Sequence, residues 1–268
     1  MCIVFIAYRY HPGYPLIIAA NRDEFYDRPT DPLDFWADHP DVAAGIDRQA
    51  GGTWLGMTRR GRFAAITNYR DPRFVDPAAP SRGCLVRAYL VSDQSPAVYL
   101  ADLAEQADKY NGFNLIAGDI AGDSPGIFYY SNMEGRVRPI PPGLHGLSNH
   151  LLNTPWPKVE RARRGLEKVL APTGEPDSEA IFEVLGDITC PPDEDIPDTG
   201  IGLAWERMLA PVFIQSDVYG TRNSTLIFVD NAGHVTFSER RFEPDGKGAL
   251  AVNNRRLSFK LVIDGKYQ

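Results

Sequence analysis

Cys2-Ile3-Val4-Phe5-Ile6-Ala7 follows Met1 directly and is the run that decides the fold. It is short, rich in β-branched and aromatic residues, and ends at the polar Tyr8-Arg9-Tyr10, which is typical of a buried β-strand. Leu16 to Ala20 is a second run of this kind, and the polar segment Asn21-Arg22-Asp23-Glu24 follows it at once. We therefore predict two buried strands, the second of which ends in charged and amide side chains.

Cys2 is the one residue at this end of the chain with an evident reactive group. If Met1 is removed, the side-chain sulfur of Cys2 is a nucleophile and its free α-amino group, with a pKa of about 7.7–8.0, is a base near neutral pH. The alternative is that Cys2 is only a small apolar residue of the buried strand. The sequence makes Cys2 a candidate nucleophile that needs no neighbouring histidine.

Composition and charge describe an ordinary globular protein. The chain has 268 residues, of which 43% are hydrophobic and 24% charged, enough for a large core, and we predict a single domain over residues 1–268. The net charge of −7 argues against a nucleic-acid partner, which binds clustered Lys and Arg. The basic run Arg161-Ala162-Arg163-Arg164 is expected on the solvated side of a helix.

Cysteine usage and hydropathy bear on the compartment. Cys2, Cys84 and Cys190 are too few for a disulfide framework, and none lies in a zinc-binding spacing, so a reducing compartment fits best and no metal site is expected. The N-terminus has no basic region before its apolar run, as a signal peptide would, and no run approaches the roughly 18 residues of a membrane span. We therefore expect a cytoplasmic protein.

The remaining elements are predicted from periodicity and turn residues. Helices are expected over Cys84 to Val91 and Ala97 to Lys109, from an N-cap at Thr154 with Pro155 at N1 through Leu170, and from an N-cap at Asp177 to about Leu185. The acidic, Pro-rich stretch from Cys190 to Gly200 is expected to be a loop. Further strands are expected over Gly52 to Met57, Phe63 to Thr67, Phe113 to Ala117, Gly126 to Tyr130, Val137 to Ile140, Gly146 to Ser148, and in a hairpin of Thr225 to Val229 with His234 to Arg240. Two blocks of strands separated and followed by helices favour a layered α+β architecture.

Polar side chains recur at the predicted strand ends, while the usual nucleotide-binding, zincin and serine-hydrolase motifs are absent from the sequence. Amides and a guanidinium there could hold an oxyanion or a carboxylate. Ordinary turn chemistry is the alternative for each residue taken singly. The residues are Asn21 to Glu24, Asn68, Asn149 and Arg222.

Short motifs along the whole chain carry a more specific signal. They are Met1-Cys2-Ile3, Ala20-Asn21-Arg22-Asp23-Glu24-Phe25-Tyr26, Gly51-Gly52-Thr53-Trp54-Leu55-Gly56, Thr67-Asn68-Tyr69, Tyr110-Asn111-Gly112-Phe113-Asn114-Leu115, Leu147-Ser148-Asn149, Thr154-Pro155-Trp156 and Tyr219-Gly220-Thr221-Arg222. Together they resemble the NRDE family, the family of the eukaryotic transport and Golgi organisation protein 2. The likeness runs in order from residue 1 to about Phe237.

That family in turn resembles N-terminal-nucleophile (Ntn) hydrolases, which implies a four-layer αββα sandwich. The resemblance implies that Cys2 is the nucleophile and that Arg22 and Asp23 hold it in place. It also implies that Asn68 and Asn149 form the oxyanion hole, and that Arg222, late in the chain, assists the reaction. No cofactor is implied. Arg22 and Asp23 are adjacent, so on a regular strand they point to opposite faces. Only one of them can face Cys2 unless the backbone bulges there.

Two functions of different classes follow. The first is Cys2-dependent hydrolysis of a non-peptide, linear amide C–N bond in a small molecule. The second, which the resemblance also implies, is haem trafficking or lipid homeostasis, in which the same cleft binds haem or another hydrophobic ligand without reacting. Of the histidines His11, His39, His145, His150 and His234, His150 beside Asn149 is the candidate axial ligand.

A third interpretation is a degenerate hydrolase that acts as an interaction module, because a fold alone does not fix function. A homodimer is compatible with a chain of this size and class.

Overall fold

The computed structural model describes residues 2–122, 125–244 and 250–262. The strands, in chain order, are β1 Cys2–His11, β2 Tyr14–Phe25, β3 Thr30–Phe35, β4 Val42–Asp47, β5 Leu55–Thr58, β6 Arg62–Asn68, β7 Phe113–Asp119, β8 Gly126–Ser131, β9 Arg136–Pro139, β10 Gly143–Leu147, β11 Tyr219–Val229, β12 His234–Pro244 and β13 Leu250–Lys260. The helices are α1 Gly83–Val91, α2 Pro96–Ala104, α3 Pro157–Val169, α4 Ser178–Leu185 and α5 Leu203–Leu209. Short 3₁₀ turns cover Pro72–Phe74, Ala107–Lys109 and Asp193–Asp195.

The strands form two antiparallel sheets with different connectivity. Sheet B follows the chain, in the order β3-β4-β5-β6-β7-β8-β9. Sheet A has the order β10-β1-β2-β11-β12-β13, so the first two strands lie between strands from the middle and the end of the chain. In sheet A, Val4 pairs with Leu147, and Thr225 pairs with Ala20. Sheet A therefore joins residues that are far apart in sequence.

The alternation of side chains along β1 explains the layers. Val4, Ile6 and Tyr8 contribute to the core between the two sheets, whereas Ile3 and Phe5 pack into a second core beneath α3 and α4. A strand buried on both faces reads as a continuous apolar run, as β1 does. Because α1 and α2 pack against sheet B, the layers run α1/α2, sheet B, sheet A, α3/α4. This order confirms the predicted α+β, four-layer αββα sandwich.

Several element boundaries differ from the sequence prediction. The helix α3, in the layer that covers sheet A, begins at Pro157 and not at Pro155. The reason is that Trp156 is extended, with φ −64° and ψ 146°. The residue before a proline is disfavoured in the helical region, so the predicted cap at Thr154 is wrong by a few residues. Likewise α2 ends at Ala104, and Ala107–Lys109, at the end of the predicted helix, form a separate 3₁₀ turn. The predicted cap at Asp177 is confirmed, since its carboxylate accepts from the backbone N–H groups of Glu179 and Ala180.

Four elements have no counterpart in the sequence prediction: β3, β4, α5 and β13. The strands β3 and β13 are edge strands of their sheets, and both are rich in polar residues, so hydropathy does not reveal them. Pro32 within β3 is tolerated because an edge strand has one free hydrogen-bonding side. The α5 helix is only seven residues long. None of the helices in the described ranges is long and apolar enough to cross a membrane.

Candidate active site

Cys2 lies at the start of β1 and is directly opposite Arg22 of β2. Cys2 as a residue is partly exposed, while Arg22 is buried. Val4 and Ala20, two residues further along each strand, belong to the core between the sheets. Since side chains alternate along a strand, the Cys2 thiol and the Arg22 guanidinium share this inter-sheet face. The guanidinium lies over the Trp54 ring, with Cζ 4.4 Å from the ring centroid.

Asp23 points to the opposite face of sheet A. Its Oδ1 accepts a hydrogen bond of 2.8 Å from Thr221 Oγ1, and its backbone carbonyl accepts one of 2.9 Å from Tyr219 Oη. The pairing of β2 with β1 is regular at this point, because its register break lies between Tyr8 and His11. Of the two adjacent residues, Arg22 is therefore the one whose side chain faces Cys2.

A bulge does occur next to this site, but on β11. Thr221 pairs with Asp23 and Asn223 pairs with Arg22, so Arg222 is the extra residue. Its Nη1 donates to the carbonyl oxygens of Phe25 at 2.7 Å and Arg28 at 3.1 Å. Among the described residues no hydrogen bond joins Arg222 to Cys2. The structure places Arg222 at the turn after β2, beside Arg22, and not on the thiol.

Asn149 lies on the other side of Cys2. The pairing of β10 with β1 ends at Val4 and Leu147, and the same register extended by two residues would put Asn149 opposite Cys2. Asn149 Nδ2 donates to the backbone carbonyl of Asn68, at the end of β6, with a distance of 3.0 Å. Ser148 Oγ is 3.3 Å from the Cys2 carbonyl oxygen. The structure thus brings Asn149 and Asn68 together, and Asn68 contributes its carbonyl oxygen to the contact.

The surroundings of Cys2 raise the pKa of its thiol. Burial is the main cause that raises its pKa, and the charge of Asp23 raises it further, whereas the charge of Arg22 and a hydrogen bond from the Asp23 backbone N–H lower it. A protonated thiol is a weak nucleophile. Chemistry at Cys2 therefore requires a base that accepts the thiol proton.

A network of buried ions that the sequence analysis missed lies beside Asn149. Arg70 Nη1 donates to Glu206 Oε2 at 2.6 Å, and Arg70 Nη2 is 3.4 Å from Asn149 Oδ1. Lys158 is also buried, and its Nζ donates to the carbonyl oxygen of Leu209 at 3.0 Å. Burial, followed by the charge of Arg70, lowers the pKa of Lys158 to about 7.

One of these residues left a signal in the sequence. Lys158, Ala162 and Leu166 are four residues apart, so they share the buried face of α3. Arg161 and Arg164, by contrast, are exposed, as predicted for that basic run. Arg70 and Glu206 left no local signal, because they are 136 residues apart.

A groove of about 460 Å³ lies next to the network and includes Tyr69, Arg70, His150 and Trp156 in its walls. The His150 ring lies between two aromatic rings, with centroid distances of 4.9 Å to Tyr69 and 5.8 Å to Trp156. His150 Nδ1 is 2.9 Å from Thr154 Oγ1, and burial lowers the His150 pKa. Cys2 does not line this groove. Within the described ranges, no three His, Cys, Asp or Glu side chains group so as to hold a metal ion.

The fold and the position of Cys2 define the class of protein. Two facing antiparallel sheets between helix layers, with Cys2 at the start of the first strand, make an Ntn-hydrolase-like sandwich. The crystal structure of the C2A variant of conjugated bile acid hydrolase from Clostridium perfringens is similar to it with a TM-score of 0.51 at 9% sequence identity, covering 100% of this chain and 95% of that one. At this identity the likeness shows the shared fold.

The family follows from the sequence comparisons. The family model Transport and Golgi organisation 2 matches residues 1–244, and the chain belongs to this family. It is 37% identical over 256 residues to the Mus musculus Transport and Golgi organization 2 homolog, and 38% identical over 256 residues to the Homo sapiens Transport and Golgi organization protein 2 homolog. Each alignment covers 90% of this chain and 92% of the relative. The resemblance drawn from the motifs is thus confirmed.

Proposed function

We propose that this protein hydrolyses a linear, non-peptide amide C–N bond of a small molecule, with Cys2 as the nucleophile. One observation carries the proposal: Cys2, at the start of β1, pairs with Arg22 of β2, and the segment Ser148-Asn149 after β10 reaches it, since Ser148 Oγ donates to the Cys2 carbonyl oxygen at 3.3 Å. A cysteine sulfur with a cation and an amide donor nearby has the groups that attack on a carbonyl carbon requires. The Ntn-hydrolase-like fold supports the same chemistry by analogy only.

The reaction has two steps. The Cys2 sulfur forms a bond to the substrate carbonyl carbon, Asn149 Nδ2 donates a hydrogen bond to the oxyanion, and the C–N bond breaks as the leaving amine takes the proton that the thiol gave up. A water molecule then attacks the thioester carbon, which releases a carboxylic acid and returns the proton to the sulfur. No cofactor takes part in either step.

The proton acceptor in this mechanism is the α-amino group of Cys2 after removal of Met1. Burial raises the Cys2 pKa, so the thiol needs a base within reach. A free α-amine titrates near pH 8 and is attached to the same residue as the sulfur. A protein that keeps Met1 should be nearly inactive.

Intact mass and amidase assays test the proposal together. We would measure release of acid from N-acyl amides with short, medium and long acyl chains by wild-type protein from which an aminopeptidase has removed Met1. Cys2→Ala should abolish turnover. Cys84→Ala should not, because the Cys84 thiol donates a hydrogen bond to the Ser81 carbonyl oxygen and lies outside the site. A substrate should leave a wild-type adduct with the mass of the acyl group. Unchanged turnover by Cys2→Ala would refute the proposal.

The stacked position of His150 favours a second candidate, a carrier of haem or another flat hydrophobic ligand. His150 lines the groove between Tyr69 and Trp156, and a ring there could ligate iron while the aromatic neighbours contact the porphyrin. Haem titration followed by absorption spectroscopy tests it. Stoichiometric binding that Cys2→Ala retains and His150→Ala loses would support the carrier, and equal binding by wild type and His150→Ala would exclude this site.

A further inference from the structure

The geometry points to Glu206 as a positioning residue that acts through Arg70 to fix the side-chain amide of Asn149 at the candidate oxyanion site. This inference rests on the proposed function, since it concerns the donor that would meet the oxyanion. Glu206 lies on α5 and touches neither Cys2 nor Asn149 in the described contacts. Its hydrogen-bonded route to Asn149 runs through Arg70.

Both carboxylate oxygens of Glu206 are held. Oε1 accepts from the backbone N–H of Thr199 at 2.7 Å and from Thr199 Oγ1 at 2.6 Å. Oε2 accepts from Arg70 Nη1 at 2.6 Å. Glu206 is only 2% exposed. A buried carboxylate anchored by a loop on one side has little freedom, so it fixes the guanidinium on its other side.

Arg70 in turn contacts Asn149 twice. The backbone N–H of Arg70 donates to the Asn149 carbonyl oxygen at 2.8 Å, and Arg70 Nη2 lies 3.4 Å from Asn149 Oδ1. On its other side, Asn149 Nδ2 donates to the carbonyl oxygen of Asn68 at 3.0 Å. A guanidinium can only donate and a carbonyl oxygen can only accept, so these neighbours permit one orientation of the Asn149 amide.

That orientation leaves one N–H of Asn149 available. The side-chain nitrogen carries two N–H groups, and among the described residues Asn68 is its one acceptor. If the amide rotated by half a turn, its oxygen would face Asn68 and the site would lose its donor. Glu206, by holding Arg70 against Asn149 Oδ1, where Ser148 Oγ also donates at 3.2 Å, therefore helps to keep a donor and not an acceptor at the candidate oxyanion site.

The test compares Glu206→Gln with Arg207→Gln, a control on the same helix that removes an exposed ion pair with Asp193. Glu206→Gln should lower kcat by about 10-fold to 100-fold with little change in KM, because a misplaced group costs about that much. Arg207→Gln should leave both constants unchanged. In an Asn149→Ala background, Glu206→Gln should cause no further loss of kcat, whereas a purely structural role predicts additive losses. A folded Glu206→Gln protein with wild-type kcat would overturn the inference.

Two further measurements keep the test decisive. If Glu206→Gln fails to fold, the double variant Arg70→Met/Glu206→Met removes both buried charges together and should fold with the same loss of kcat. Side-chain amide signals in ¹⁵N NMR spectra, assigned with Asn149→Ala, report the Asn149 orientation without any assay. They should shift in Glu206→Gln and not in Arg207→Gln. An inactive wild type with this shift would refute the proposed function alone, and an active wild type without it would refute the positioning role alone.

Discussion

The two faces of sheet A differ sharply at the end where Cys2 lies. On the inter-sheet face, Cys2 is a partly exposed residue, and Arg22 contacts Thr30 Oγ1 at 3.4 Å and the Trp54 ring but no carboxylate among the described residues. On the face towards α3, Asp23 is held by Thr221, and Lys158 is held by the carbonyl oxygen of Leu209. The first face thus presents a thiol and a guanidinium outside any ion pair with the described residues, whereas the second holds a buried carboxylate and a buried lysine by hydrogen bonds.

This difference between the two faces of sheet A suggests separate roles for the polar groups on each face near Cys2. Ionised groups are costly to bury unless they are paired and hydrogen-bonded, so the α3 side is held rigidly once it forms. Its charges still act on the thiol through the low-dielectric interior, as the effect of Asp23 on the Cys2 pKa shows. We infer that one face supplies the reacting groups and the other sets their geometry and their field.

The largest effect that would test this division is on turnover by Asn149→Ala. Losing an oxyanion donor typically costs about 10²–10³ in kcat, and we expect that loss with the fold intact. Asn114→Ala is the matched control, because Asn114 is equally buried but donates to Thr67 Oγ1 and the His150 carbonyl oxygen. It should lower stability and spare kcat. Steady-state kinetics and thermal melts of both variants measure these effects on kcat and stability. Normal turnover by Asn149→Ala would mean that Asn149 is not one of the reacting groups.

The second effect is on stability and concerns the α3 side. Burial lowers the Lys158 pKa from 10.5 to about 7 in the folded state, so between these values the unfolded chain binds more protons. The free energy of unfolding of wild type should therefore rise with pH relative to Lys158→Met, by at most about 1.4 kcal/mol per pH unit. Urea denaturation at pH 7, 8 and 9 measures it. Parallel curves for the two proteins would mean that Lys158 is not a buried titrating group.

How far the sequence could predict this arrangement depends on the range of each contact. The apolar runs at Cys2 to Ala7 and Leu16 to Ala20 revealed β1 and β2, because a strand buried on both faces has a local signature. The adjacency of Arg22 and Asp23 was enough to predict that they face opposite ways. Which of them meets Cys2 depends on the register between strands, and that is a tertiary property.

The ionic network shows the limit more plainly. The spacing of Lys158 from Ala162 and Leu166 could have indicated a buried lysine, had helical periodicity been applied to the basic face. Glu206 could not be found in this way, because α5 is short and its partner Arg70 is distant in the chain. Residues of the reacting face lie in recognisable motifs, whereas those that position them are visible only in the folded protein.

The smallest expected effect is on the reactivity of the Cys2 thiol, and it allows a direct comparison of the adjacent residues Arg22 and Asp23. Removing the charge of Arg22 with Arg22→Met should raise the Cys2 pKa, and removing that of Asp23 with Asp23→Asn should lower it, because the two charges act on the thiolate with opposite signs. The pH dependence of iodoacetamide alkylation, with Cys84→Ala/Cys190→Ala as the common background, measures both shifts. Since Arg22 shares a face with Cys2 and Asp23 does not, ligand binding should change the alkylation rate in Asp23→Asn as in wild type, but less in Arg22→Met. Shifts of the same sign in both variants would mean that packing and not charge controls the thiol.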